Sequence, residues 1–189
     1  FRLPLSLTPD GRYALVQVSG GGSASNYHLD IVSLATGEHR LPLAGASEGR
    51  LVAGRSLLYV PWDQHEVRAV AYGSKRLRIS GDPVMVLDSV GAYPDGAFYL
   101  AVSPNGTLAY APLVHELTPD MWSDLVLVGR DGHAEAQRLP KGAGPRFSPD
   151  GRRLVFAGAG RRDADIILYD MASGAERLVD GDGDALWPI

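Results

Sequence analysis

A four-part internal repeat constrains this chain more than any other feature, because a repeated unit too small to bury its own apolar face must stack on its neighbours. The first copy runs Leu5-Ser6-Leu7-Thr8-Pro9-Asp10-Gly11-Arg12, then Tyr13 to Val18, a Gly/Ser segment, Leu29 to Leu34, the turn Thr36-Gly37-Glu38, and Arg40 to Leu43. The fourth follows the same order: Phe147-Ser148-Pro149-Asp150-Gly151-Arg152, Leu154 to Ala157, Asp165 to Met171, the turn Ser173-Gly174-Ala175-Glu176, and Arg177 to Val179. In the third, Val102-Ser103-Pro104-Asn105-Gly106 leads into Leu108 to Ala111, Leu125 to Val128, Arg130-Asp131-Gly132, and Ala136 to Leu139. The second is degenerate and keeps Val52-Ala53-Gly54-Arg55, Leu57 to Val60, Val67 to Tyr72, and Val84 to Leu87.

The anchoring glycines Gly11, Gly54, Gly106 and Gly151 lie 43, 52 and 45 residues apart, close to the period of about 40 to 50 residues typical of propeller blades. Pro presets φ at one turn corner, Asp or Asn tolerates the next, and Gly supplies the positive φ that turns an inner strand into its neighbour. Alternation such as Tyr13-Ala14-Leu15-Val16-Gln17-Val18 has the period of a strand, and no helical period is sustained anywhere. The expected fold is all-β: a β-propeller segment of four antiparallel four-stranded blades packed face to face. The blades are placed at about 4–43, 49–88, 96–140 and 144–179, and Asp184 to Ile189 reads as the opening of a fifth repeat.

Ser148-Pro149-Asp150-Gly151-Arg152-Arg153-Leu154-Val155-Phe156 followed by Asp165-Ile166-Ile167-Leu168-Tyr169-Asp170 resembles the WD40-like (PD40) repeat of TolB-type β-propellers. From Arg55 to Ile189 the chain is also similar to propeller domains that lie C-terminal to bacterial serine/threonine kinases. That likeness is carried by Leu58-Tyr59-Val60-Pro61-Trp62, Ser80-Gly81-Asp82-Pro83-Val84 and Val102-Ser103-Pro104-Asn105-Gly106-Thr107-Leu108-Ala109-Tyr110. The resemblance implies a bacterial protein and a larger propeller of six to eight blades, of which this chain is a part. Related propellers precede the hydrolase domain of prolyl oligopeptidase-like peptidases, and a lyase branch binds metal through axial histidines. The resemblance therefore allows an enzyme's propeller portion as the alternative to a non-catalytic module.

Composition narrows the partners. Lys and Arg total 18 against 22 acids, a net charge of −4, so no global field favours nucleic acid or an anionic membrane. No apolar run approaches the roughly 18 residues of a spanning helix, which excludes membrane insertion by a helix. Cysteine is absent, which removes disulfides and thiolate chemistry and leaves the compartment, periplasmic or cytoplasmic, open. Phe1-Arg2-Leu3-Pro4 shows no signal peptide.

Local motifs yield no complete catalytic set. Gly45-Ala46-Ser47-Glu48-Gly49 fits the G-x-S-x-G pattern, but a nucleophile elbow needs a following helix; here a strand follows, and the motif is expected to be a flexible interblade loop. Asp180-Gly181-Asp182-Gly183-Asp184 alternates acids as a calcium loop begins, yet its sixth position is Ala185 where such a loop has Gly, so it reads as a solvated turn. Gly20-Gly21-Gly22-Ser23 lacks the Lys of a phosphate loop, and the sequon Asn105-Gly106-Thr107 coincides with a blade turn. No catalytic residue, cofactor or metal is expected.

The loops between second and third strands of each blade share one rim. Three of them carry His28, His65 and His115, together with Tyr27, Trp62, Tyr93, Met121 and Trp122. Aromatic and Met side chains in loops mark partner surfaces, so these eight residues form a candidate rim for a protein or peptide partner. The bland alternative is that Trp62 and Trp122 fold back over the blades. Exposed end blades also suggest a homodimer.

Overall fold

The computed structural model describes residues 2–8, 10–19, 27–52, 56–62, 64–73, 77–91, 98–113, 123–129, 131, 133–135, 139–159 and 164–180. Every regular element among them is a strand, and none is a helix long and apolar enough to cross a membrane. The chain divides into two compact units, residues 1–89 and 90–189, each described below by itself.

The first unit holds two antiparallel sheets whose strands lie side by side in chain order. One is β1 (Arg2–Leu7), β2 (Tyr13–Ser19), β3 (Tyr27–Ser33) and β4 (His39–Ala44); the other is β5 (Ala46–Val52), β6 (Ser56–Pro61), β7 (Val67–Gly73) and β8 (Arg78–Leu87). The period of two sends Leu15, Leu29 and Ile31 to one face of the first blade, where they meet Ala46, Leu57, Tyr59, Val70, Tyr72 and Leu77 of the second. Leu15, Leu29, Ile31 and Leu57 are fully buried, each contributing about 1.5–3 kcal/mol of apolar transfer. The opposite period puts His28, Asp30 and Val32 on the other face of that blade.

The second unit contains β9 (Leu100–Val102), β10 (Leu108–Tyr110), β11 (Ser123–Asp124), β12 (Val126–Val128), β13 (Ala134–Glu135), β14 (Lys141–Phe147), β15 (Arg153–Ala159), β16 (Ala164–Asp170) and β17 (Glu176–Asp180). β9, β10, β12 and β13 form the third blade, and β14 to β17 the fourth. Leu127, Leu154 and Phe156 are fully buried between the two, with Ala101, Ala109, Leu125 and Tyr169 around them.

One turn is built three times. Thr8 Oγ1 donates to Asp10 Oδ1 at 2.6 Å and accepts the Tyr13 N–H at 3.1 Å, while Asp10 Oδ1 accepts the Arg12 N–H at 3.1 Å. Ser148, Asp150, Arg152 and Arg153 repeat the arrangement at 2.6, 3.0 and 3.1 Å. In the third blade Ser103 donates to Asn105 and accepts the Thr107 N–H. Each turn closes through a glycine at positive φ, 66°, 90° and 70° at Gly11, Gly106 and Gly151, the region open to a residue without Cβ.

Two expectations are corrected. Ala46–Gly49 is no loop: it is the first half of β5, with all four residues buried. The reason is close packing, since a Cβ built on Gly49 would lie 2.6 Å from Leu29 Cδ1 and 3.1 Å from Leu15 Cδ2; small residues here let the first blade close onto β5. The fourth sheet has five strands, not four, because Ser123 and Asp124 leave the third blade's insertion and pair with Gly142 and Lys141. The second-blade glycine Gly54 and the start of a fifth repeat lie outside the described residues.

Candidate functional site

Of the eight rim residues, the structure describes Tyr27, His28, Trp62 and His65; Tyr93, His115, Met121 and Trp122 lie outside the described residues, as do Gly20 to Ser23 and Gly181 to Asp184. Tyr27 opens β3 and Trp62 follows the last residue of β6, so both leave a strand on the side of the loop joining the second and third strands of their blades. Their rings stack, with centroids 3.6 Å apart and planes 17° from parallel.

A backbone relay fixes this corner. Gly45, at φ 69° between β4 and β5, donates its N–H to the Tyr27 carbonyl at 2.8 Å, and its own carbonyl accepts the Trp62 N–H at 2.7 Å. The residue that turns the chain from one blade to the next thus also ties the two aromatic residues together. Both rings are half-buried, and Gln64 and His65 beside them are exposed. An offset aromatic pair of this kind is worth about 0.5–1.5 kcal/mol beyond the area it buries.

His28 does not join this corner. Alternation turns it to the opposite face of β3, where its Nε2 lies 3.6 Å from Asp30 Oδ1. His39 Nδ1 approaches the other carboxylate oxygen at 2.8 Å. Asp30 is buried at 8% exposure, and a buried carboxylate needs such partners. Tyr27 and His28, adjacent in sequence, therefore serve different faces. Among the described residues no three His, Asp or Glu side chains converge as a metal would need.

The G-x-S-x-G serine is occupied structurally. Ser47, buried in β5, donates its hydroxyl to the Val60 carbonyl at 3.2 Å. Its neighbour Glu48, 6% exposed, is held by the Arg50 guanidinium, which also donates to the Gly49 carbonyl at 2.8 Å. With its hydroxyl turned into the sheet, Ser47 is not presented as a nucleophile.

Electrostatic perturbation gathers in the turns and not in a cleft. The Asp10 and Asp150 carboxyls are held below the ordinary carboxylate range, first by the hydroxyls of Thr8 and Ser148 and then by the Arg12 and Arg152 amides. Ser173 does the same for Asp170, and the Arg40 guanidinium for Glu38. Burial raises the Tyr72 phenol. Strongly shifted groups in a cleft would point to chemistry; the carboxylates here are exposed caps of hairpins.

Sequence reading singles out Tyr27 and Trp62 but misses Gly45, Asp30 and His39. Gly45 carried a signal, a lone glycine between two strand patterns, whereas the pairing of His39 with Asp30 depends on register and has no local signature.

No protein-family model and no curated protein matches the sequence. Solved structures do match. TolB from Acinetobacter baumannii is 15% identical with a TM-score of 0.60, over 88% of this chain and 41% of that one. A Mycobacterium tuberculosis puromycin-hydrolyzing peptidase is 15% identical with a TM-score of 0.66, over 98% of this chain and 30% of that one. The oligogalacturonate lyase of Vibrio parahaemolyticus is 14% identical with a TM-score of 0.61, over 96% and 52%. This chain thus spans less than two thirds of each of these structures. Identities this low speak to architecture, and together with the bladed topology they establish that the chain has the fold of a TolB-like β-propeller.

Proposed function

We propose that the chain is a non-catalytic interaction module, a propeller segment whose rim binds a protein or peptide as the scaffold or sensor part of a larger bacterial protein. The observation that carries this reading is the Tyr27–Trp62 corner. Two large rings, half-buried and stacked at 3.6 Å, are fixed through Gly45 to the backbones of two blades. Rigid aromatic surface loses little entropy on binding and dominates interface hot spots, and the exposed polar residues Gln64 and His65 suit the rim around such an anchor. The engagement of Ser47 by Val60 fits a module that leaves chemistry to other domains.

The test is peptide selection from a display library on the full chain and on two variants. Peptides enriched on the wild type are expected to be lost with Trp62→Ala, alone or combined with Trp122→Ala. The same peptides recovered at equal strength from wild type and variants would sink the rim reading.

A second reading rests on the likeness to a peptidase and a lyase: the segment is the propeller portion of an enzyme. It is distinguished by assaying the full-length protein on fluorogenic peptides and oligogalacturonate. Turnover there would favour it, and its absence would leave the binding module.

A further inference from the structure

β8 is the outer strand of the second blade. It pairs with β7 on one side and with no other strand among the described residues, so the amides and carbonyls on its far side have no ladder partner. Its second half is apolar in the open: Val84, Met85 and Val86 are 65%, 57% and 45% exposed. Successive residues of a strand point to opposite faces, so this edge is apolar above and below.

The first half of β8 is blunted and the second is not. Ser80 stands opposite Ala71 and Val84 opposite Ala69, leaving Gly81-Asp82-Pro83 to bulge across from Val70. Gly81 takes φ 78° and Pro83 lacks an N–H, and bulges and prolines are the usual devices that stop an edge from recruiting another strand. They end before Val84. The apolar stretch is instead bracketed by two exposed acids, Asp82 and Asp88, neither in a side-chain hydrogen bond or ion pair among the described residues.

We infer that the Val84–Leu87 edge accepts an extended strand from a different protein, apolar at its centre and carrying Lys or Arg at both ends. Charge selects that occupant over a second copy of this chain. Antiparallel self-pairing centred on Met85 would set Val84 against Val86 and Asp82 against Asp88 at both ends, and like charges directly opposed destabilise a strand pair. A basic-flanked segment turns the same two acids into ion pairs. Asp82 and Asp88 are six positions apart, about 20 Å of extended chain, so the basic residues of the partner stand six apart with hydrophobic residues between them. This inference extends the interaction-module reading to a surface separate from the Tyr27–Trp62 corner, which the test leaves intact.

The experiment titrates the ¹⁵N-labelled full chain with the peptide Lys-Thr-Val-Thr-Val-Thr-Lys, following backbone amide shifts. Shifts are expected on Val84 to Leu87 and on β7. The peptide with Glu at both ends should bind about fivefold more weakly or worse, the worth of two exposed ion pairs. Asp82→Asn with Asp88→Asn, both exposed and harmless to the fold, should abolish that difference, and N-methylation of alternate peptide amides should abolish binding. Equal binding of the Lys and Glu peptides, equal binding of the methylated peptide, or shifts confined to other strands would overturn the inference. A chain dimer in light scattering that Met85→Lys disperses would overturn it in favour of a second copy. Loss of display peptides on Trp62→Ala bears on the rim alone, so the two readings fail separately.

Discussion

Replacing Gly49 with Ala tests how the first blade closes onto the second. A Cβ at that position falls 2.6 Å from Leu29 Cδ1, 3.1 Å from Leu15 Cδ2 and 3.5 Å from Leu57 Cδ1. All three leucines are fully buried, so none can swing aside without opening space elsewhere, and overpacking of this kind costs about 1–3 kcal/mol. Against it stands the gain of about 0.4–1 kcal/mol from a stiffer unfolded chain when Gly becomes Ala. The expected net loss is about 1 kcal/mol, a fall in Tm of about 2–4 °C for a chain of this size. Gly73→Ala supplies the control: it also lies in a strand, and its Cβ would meet only the Arg78 carbonyl at 3.9 Å, so it should be neutral or stabilising. Leu29→Val removes the atom in the way; combined with Gly49→Ala it should cost about 1 kcal/mol less than the two single changes added together. Urea unfolding of the four variants reads these differences. If Gly49→Ala is as stable as Gly73→Ala and shows no coupling to Leu29→Val, the packing argument for β5 is wrong.

The turn carboxylates predict acid sensitivity. Asp10, Asp150, Asp170 and Glu38 are held below their ordinary values when folded, so the unfolded chain binds protons more readily. Their contribution is complete above the ordinary carboxylate range near about pH 4 and is lost as pH falls through the depressed folded values. Asp10→Asn with Asp150→Asn should flatten the stability curve in that acid window, as measured by urea midpoints across pH, while leaving its slope above pH ~6 unchanged. At the rim, a double-mutant cycle of Tyr27→Ala and Trp62→Ala should return a coupling of about 0.5–1.5 kcal/mol; a coupling of zero would mean that the stacked rings do not help hold the corner.

The turns were legible in the sequence because their chemistry is local. Thr8-Pro9-Asp10-Gly11 and Ser148-Pro149-Asp150-Gly151 place a hydroxyl, a preset φ, a carboxylate and a residue free to take positive φ in four consecutive positions. The described parts of both turns bear this out bond for bond. The strands followed from alternation for the same reason. Gly45–Gly49 misled because its composition, two glycines with Ala and Ser between them, is that of a loop when read alone. Burial reversed the meaning, since small residues are also what a strand needs when another blade's leucines press against it. Ser123–Asp124 gave no strand signal at all: two polar residues pair with β14 only because the fold brings that edge alongside.

The same division runs through the candidate sites. The sequence by itself determined that the chain is built of blades and that Tyr27 and Trp62 stand at strand ends on one rim, since both rest on periods of two and on turns a few residues long. Only tertiary structure decided that these two rings stack, that His28 turns away to Asp30, that Ser47 spends its hydroxyl on Val60, and that Val84–Met85–Val86 lie on an open edge. Each of those outcomes depends on which residues of distant segments meet across a register or between blades. Register and blade packing are set by the summed burial of many side chains, and no short stretch of sequence contains that sum.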